Sequence, residues 1–181
     1  MPPRQLTQYE AEFVCRFLNH THAAYALVSK QDLEKNPQYA GALLGLPALA
    51  IVYAYDAVFS NLSGGGAILA EIANAAADLN ITLNSPLGPG HNSKITGQAE
   101  TPDEQILRHL RNCFAHFRFV STVDANQDTF LVMEDYNRSG VKTFAAKCEV
   151  FHVVDLGEKI LIAAHKVAVD NAVALGANVT P

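Results

Sequence analysis

The amino-acid sequence predicts a mainly α fold, an up-and-down helical bundle of four to five helices with a small β-hairpin before the last helix. Apolar residues recur at helical spacing along most of the chain, and capping residues begin two of these stretches. Only one pair of short strand-like segments flanks a turn, at 128–146. A chain of 181 residues is close to the common size of one domain, so we expect 1–181 to form a single domain.

Helices are expected throughout the first half of the chain. Thr7-Gln8-Tyr9-Glu10 has the form of a capping box and begins the first helix, which Asn36-Pro37 ends. A second, largely buried helix is expected over about 39–60 and, after a run of glycines, a short Ala-rich helix over about 67–79. Residues 84–100 are rich in Pro, Gly, Asn and Ser without periodicity, which predicts a flexible loop.

The second half of the chain adds the remaining elements. Thr101-Pro102-Asp103-Glu104 supplies an N-cap hydroxyl, a proline at the first helical position and acids in the first turn, which predicts a third helix over about 102–116. The hairpin follows at 128–146. Apolar residues then recover the helical period over about 149–175, and Gly176 is the expected C-cap.

Composition and charge exclude several classes of protein. A chain that is 49% hydrophobic and 17% charged is not disordered, and a net charge of −5 means that any contact with nucleic acid needs a local cationic patch. The three cysteines lie far apart without C-x-x-C spacing, so we expect reduced thiols and no zinc site. The chain begins without an apolar signal core and its most apolar stretch is interrupted, which predicts a cytoplasmic protein that does not enter a membrane.

The third predicted helix has two faces. One is an apolar stripe that is expected to pack into the core and consists of Ile106, Leu107, Leu110, Cys113, Phe114 and Phe117. The opposite face is polar and carries Glu104, Arg108 and Asn112, with Arg111 and His116 on its flanks. Functional side chains are therefore expected on the polar face.

This polar face is also expected to be cationic. Arg108, Arg111 and Arg118 are three of the six arginines, and no Asp or Glu occurs between Gln105 and Val123. We predict that Arg108 and Arg118 bind the substrate. His109 borders the same face, where it either assists this contact or is simply exposed.

The spacing of Arg111 and His116 suggests how the site is built. Asn112 and His116, four residues apart, can touch on a helix, whereas Arg111 and His116 diverge by about 140° on a straight helix. Either the helix ends before His116, or the groups of two copies converge across a twofold axis; we favour the second arrangement. An imidazole can move the 2′-hydroxyl proton of RNA and a guanidinium can stabilise the phosphate, so the pattern predicts RNA cleavage that needs no metal or cofactor.

The segment Leu110-Arg111-Asn112-Cys113-Phe114-Ala115-His116 resembles the Arg-(polar)-x3-His signature of HEPN domains, small helical bundles of prokaryotic defence and toxin–antitoxin systems. The resemblance implies a homodimeric, metal-independent endoribonuclease with paired motifs at the interface, an RNA substrate, and an antitoxin or other regulatory protein as partner. Arg111, Asn112 and His116 match the motif and would be its catalytic residues. The family also includes non-catalytic proteins, so the alternative is a helical module that dimerises and binds a protein partner.

Overall fold

A computed structural model describes residues 7–25, 44–84, 93, 96, 98–126 and 129–177. Within these residues the chain forms five α-helices and a four-stranded antiparallel sheet, and a π-helical turn, Ala54–Phe59, continues the second helix. In chain order the elements are α1 Gln8–Tyr25, α2 Gly45–Tyr53, α3 Gly66–Ala75, β1 Ile81–Leu83, α4 Pro102–Ala115, β2 Phe119–Val123, β3 Thr129–Tyr136, β4 Lys142–Glu149 and α5 Val150–Ala174.

The predicted mainly α fold class is wrong, because the chain builds a sheet and not a lone hairpin. The predicted hairpin is present as β3 and β4, but β2 pairs antiparallel with β3 and β1 pairs antiparallel with β4, which gives the strand order β1-β4-β3-β2. Aromatic and β-branched residues favour extended structure in β2 directly after the predicted helix. The fold is therefore mixed α and β.

The capping signals that begin two helices are confirmed. At the start of α1, the Thr7 N–H donates to Glu10 Oε2 (2.8 Å) and the Glu10 N–H donates to Thr7 Oγ1 (3.3 Å). Thr101 and Glu104 make the same reciprocal pair at the start of α4. These bonds satisfy N–H groups that a helix start leaves without intrahelical partners.

Other element predictions are confirmed within a few residues or lie outside the described chain. The last predicted helix is α5, and Gly176 follows it in the left-handed region (φ 83°). The Ala-rich helix ends early, at Ala75. The Asn36-Pro37 stop, the start of the helix predicted at about 39, and most of the 84–100 loop lie outside the described residues.

Helix α5 is central to the core, since it packs against α1, α2 and α3 and also contacts the sheet. The face of the sheet that meets the helices carries fully buried Leu131 and Met133 of β3 and Phe144 of β4. Side chains two residues apart on a strand share a face, so Asp135 continues this buried row. No helix in the described part of the chain combines the length and the apolarity needed to cross a bilayer.

Candidate functional site

Helix α4 ends before His116. Of the two arrangements considered for Arg111 and His116, this is the one that we did not favour from the sequence. His116 follows the last helical residue as the C-cap (φ −111°, ψ 10°), and its N–H donates to the Asn112 carbonyl (3.0 Å). Its side chain is exposed and makes no hydrogen bond or ion pair with any residue that the structure describes. The imidazole is thus accessible to a ligand or to another chain.

Arg111 is held by a carboxylate from the π-helical turn. Its Nε lies 3.1 Å from each carboxylate oxygen of Asp56, and its Nη2 donates to Oδ2 (2.8 Å). Its Nη1 also donates to Asn112 Oδ1 (3.3 Å). The Arg111 side chain remains 27% exposed, so the guanidinium is oriented without being closed off.

The sequence reasoning did not assign Asp56 to the site. Asp56 is the one charged residue in the apolar stretch 44–60, and such an isolated charge needs a partner or solvent. That signal could have marked it as a functional candidate, although not as the partner of Arg111.

Asp135 is the centre of a buried polar cluster. Its side chain accepts hydrogen bonds from His109 Nδ1 (2.7 Å), from Asn112 Nδ2 (2.9 Å), from Arg118 Nη1, and from the N–H of Tyr136 (2.9 Å). Only 2% of Asp135 is exposed. We call Asp135, His109, Asn112 and Arg118 the Asp135 cluster; it ties α4 and the turn after it to strand β3.

The Asp135 carboxylate is kept ionised by its hydrogen bonds. Burial alone would raise its pKa, because removal from water disfavours the charged form. The hydrogen bonds from His109 and Asn112 and from the Tyr136 N–H outweigh burial and hold the pKa of Asp135 well below its usual range. Asp135 therefore carries a negative charge at neutral pH.

This lowered pKa predicts a loss of stability in acid. The folded pKa lies below the unfolded value of about 3.9, so the stabilisation is complete well above that value and is lost as pH falls toward the folded pKa. We expect the urea unfolding free energy of the wild type to fall from pH 6 to pH 3.5 more steeply than that of Asp135→Asn. Asp155→Asn, which removes an exposed carboxylate from α5, serves as the control and should follow the wild type. Parallel curves for the wild type and Asp135→Asn would contradict this assignment.

His109 is buried, which corrects its expected exposure. Its Nδ1 is hydrogen-bonded to the Asp135 carboxylate, and its Nε2 lies 3.5 Å from Arg108 Nη2. Its ring stacks on that of Phe144, with the ring centroids 5.2 Å apart. A histidine oriented by a buried aspartate resembles part of a catalytic triad, but Nε2 must then reach the substrate. Here Nε2 faces a guanidinium inside the protein, so His109 is structural.

Arg108 is likewise internal. Its Nε lies 3.1 Å and 2.9 Å from the two carboxylate oxygens of Glu100, and the Arg108 and Glu100 side chains are 13% and 5% exposed. Gln105 Nε2 donates to the Glu100 carbonyl (3.0 Å). The predicted polar face is therefore buried along its N-terminal half, where Glu104 and Gln105 also lie inside.

The predicted cationic face is neutralised. Glu100 pairs with Arg108, and the acids that meet Arg111 and Arg118 come from distant parts of the chain, the π-helical turn and β3. An absence of acids along one helix says nothing about acids that the fold brings to it. Of the three arginines, Arg118 keeps the most exposed side chain, at 40%.

The apolar stripe of α4 is confirmed except at its end. Ile106, Leu107, Leu110, Cys113 and Phe114 are buried, and burial raises the pKa of the Cys113 thiol to about 12, so this thiol is protonated at neutral pH. Phe117 was expected in the core but is exposed, because the helix ends two residues earlier. The chain turns there with Phe117 in the left-handed region (φ 54°).

The structure thus joins two motif residues and leaves the third apart. Arg111 and Asn112 share a hydrogen bond and are held by Asp56 and Asp135, whereas the His116 side chain makes no hydrogen bond with either of them. The described residues contain no group of three or more His, Cys, Asp or Glu placed to hold a metal ion. Comparison of the chain with protein-family models, with curated proteins and with solved structures found no match.

Proposed function

We propose that this chain is a metal-independent endoribonuclease of the HEPN type that works as a homodimer in the cytoplasm. One observation carries the proposal: an exposed imidazole, His116, follows by five residues an arginine, Arg111, that is oriented by two polar side chains and still reaches solvent. Cleavage of an RNA phosphodiester requires both an acid–base group and a fixed cation, and a second copy of the chain would bring the two together.

His116 is the acid–base group in this proposal. The RNA 2′-oxygen attacks the phosphorus and gives its proton to an imidazole, while the 5′-oxygen leaves and takes a proton; a 2′,3′-cyclic phosphate and a 5′-hydroxyl result. Such proton transfers contribute roughly 10² to 10⁴ in rate. One imidazole can act as base and a second as acid, so two copies of His116 would serve both oxygens.

Arg111 stabilises the phosphate. Asp56 and Asn112 use part of its fork of N–H donors and fix its plane, and the remaining donors can meet the phosphate oxygens as negative charge builds up. Asn112 is itself anchored to Asp135 and so positions Arg111. Arg118 keeps its predicted role in substrate binding. Arg108 and His109 are assigned instead to stabilising the fold, because their side chains are paired inside the protein.

We infer the homodimer because His116 and Arg111 make no contact within one chain. No hydrogen bond joins the two side chains among the described residues, so a second copy would supply the imidazole that acts beside the guanidinium. In a toxin–antitoxin or defence setting the exposed site would be silenced by an antitoxin or other regulatory protein.

The proposal is tested with a labelled single-stranded RNA in EDTA. The wild type should cut it, and Arg111→Ala and His116→Ala should each lower the rate by about 10² to 10⁴ without unfolding the protein. Arg16→Ala and His20→Ala, which change exposed residues of α1, are matched controls and should cut like the wild type. Full activity in either motif variant would contradict the assignment.

The second candidate is a non-catalytic module that dimerises and binds a protein partner. It is favoured by the pairing of Arg108, Arg111 and Arg118 with acids, which leaves the described part of helix α4 without a strong cationic surface for RNA. A wild type that dimerises but cuts no RNA would support the module.

A further inference from the structure

We propose that Phe117 stacks on an unpaired base of the RNA beside the scissile phosphate, which makes single-stranded RNA the substrate of this site. The inference rests on the proposed function. It starts from one residue that the core was expected to bury and that the structure places in solvent, 82% exposed.

The backbone at Phe117 is in a conformation that large side chains avoid. Its φ of 54° lies in the left-handed region, which glycine and asparagine adopt readily and a phenylalanine does not. An exposed aromatic ring on a strained backbone is unfavourable for the folded chain on both counts. The N–H groups of Phe117 and Arg118 donate to the carbonyls of Phe114 (3.4 Å) and Cys113 (2.8 Å), which is a Schellman cap; glycine is usual at this position, yet the chain places an exposed phenylalanine there.

The turn that carries Phe117 is tied down on both sides. The His116 N–H donates to the Asn112 carbonyl (3.0 Å), and the Arg118 N–H donates to the Cys113 carbonyl (2.8 Å). The Phe117 ring lies near that of Phe119, with centroids 6.3 Å apart. The ring is thus supported from one side and presented to solvent by a fixed turn.

The neighbours of Phe117 favour a nucleic acid as its occupant. His116, the proposed acid–base group, precedes it, and Arg118 follows with a guanidinium that Asp135 orients and that remains 40% exposed. A cation next to an exposed aromatic ring is the pattern that binds single strands, since the cation meets the phosphate and the ring meets the base. Bases inside a duplex are already stacked and cannot use such a ring.

The test measures RNA affinity apart from cleavage. In the non-cleaving His116→Ala background we would titrate a single-stranded oligonucleotide that carries 2-aminopurine, and follow its fluorescence. Phe117→Trp should keep the affinity and the quenching of the fluorophore. Phe117→Leu, which keeps an apolar side chain but has no ring to stack, should weaken binding about tenfold and lose the quenching.

Each of three outcomes would overturn the stacking role. Unchanged affinity and quenching in Phe117→Leu would overturn the stacking role, and so would equal affinity for a duplex of the same sequence. Sedimentation equilibrium completes the test: if Phe117→Leu turns a dimer into a monomer, the ring belongs to the contact with a second copy and the proposal fails. A wild type that cuts RNA while Phe117→Leu binds normally would sink this inference alone, whereas a wild type that cuts no RNA would sink the proposed function.

Discussion

Replacement of Asp135 with alanine is expected to lower the unfolding free energy by about 3–5 kcal/mol. The substitution leaves a buried imidazole N–H of His109 and an amide N–H of Asn112 without their acceptor, and it removes the partner of Arg118. Water cannot replace these bonds easily because the carboxylate, which projects from β3, is buried. Urea denaturation monitored by circular dichroism measures the loss.

Asp155→Ala is the matched control for this experiment. Asp155 pairs with Lys159 one turn along α5, and both side chains are about half exposed, so its removal should change stability by less than about 0.5 kcal/mol. If Asp135→Ala proved as mild as this control, the Asp135 cluster would not be holding α4 to β3. Asp135→Asn should recover little of the unfolding free energy that Asp135→Ala loses, because an amide cannot offer two acceptor oxygens to these donors.

Arg108→Ala is expected to cost about 3–5 kcal/mol as well, because it leaves the buried Glu100 carboxylate without its counter-charge. The same measurement applied to Arg16→Ala, whose side chain is 77% exposed, should give a change near zero. Glu100→Ala combined with Arg108→Ala should cost less than the sum of the two single changes, since either one alone already breaks the pair.

The same variants separate structure from substrate binding. If Arg108 serves the fold, Arg108→Ala should cut RNA at the wild-type rate at any temperature at which it remains folded. A stable Arg108→Ala protein with weakened RNA binding would return Arg108 to the substrate-binding residues, as its position in the sequence first predicted.

The helices could be predicted from the sequence because their signals are local. A capping box lies within four residues, and helical periodicity is visible within one segment, so α4 and α5 were found with nearly correct ends and α1 with the correct start. Strands β1 and β2 were missed for the same reason. A strand of three or five residues has little local signal, and its stability comes from partners elsewhere in the chain.

The same limit applies to the site. The motif residues were identified by their spacing, but the partners of Arg111 and Arg118 lie 55 and 17 residues away in sequence. The alternation of Leu131, Met133 and Asp135 did hold one usable signal, because it places an acid on the buried face of the predicted hairpin. A buried acid requires a donor, and a nearby arginine is the natural one.

The π-helical turn makes the contact between Asp56 and Arg111 sensitive to chain length. The Ser60 N–H donates to the Tyr55 carbonyl (3.0 Å), so this turn encloses one residue more than an ordinary α-helical turn. Loss of one residue here would restore the regular α-helical repeat and remove the wide turn that carries Asp56. Two relatives that differ by one residue in this segment can therefore share every residue of the motif and still differ in whether Arg111 has the Asp56 carboxylate as its partner.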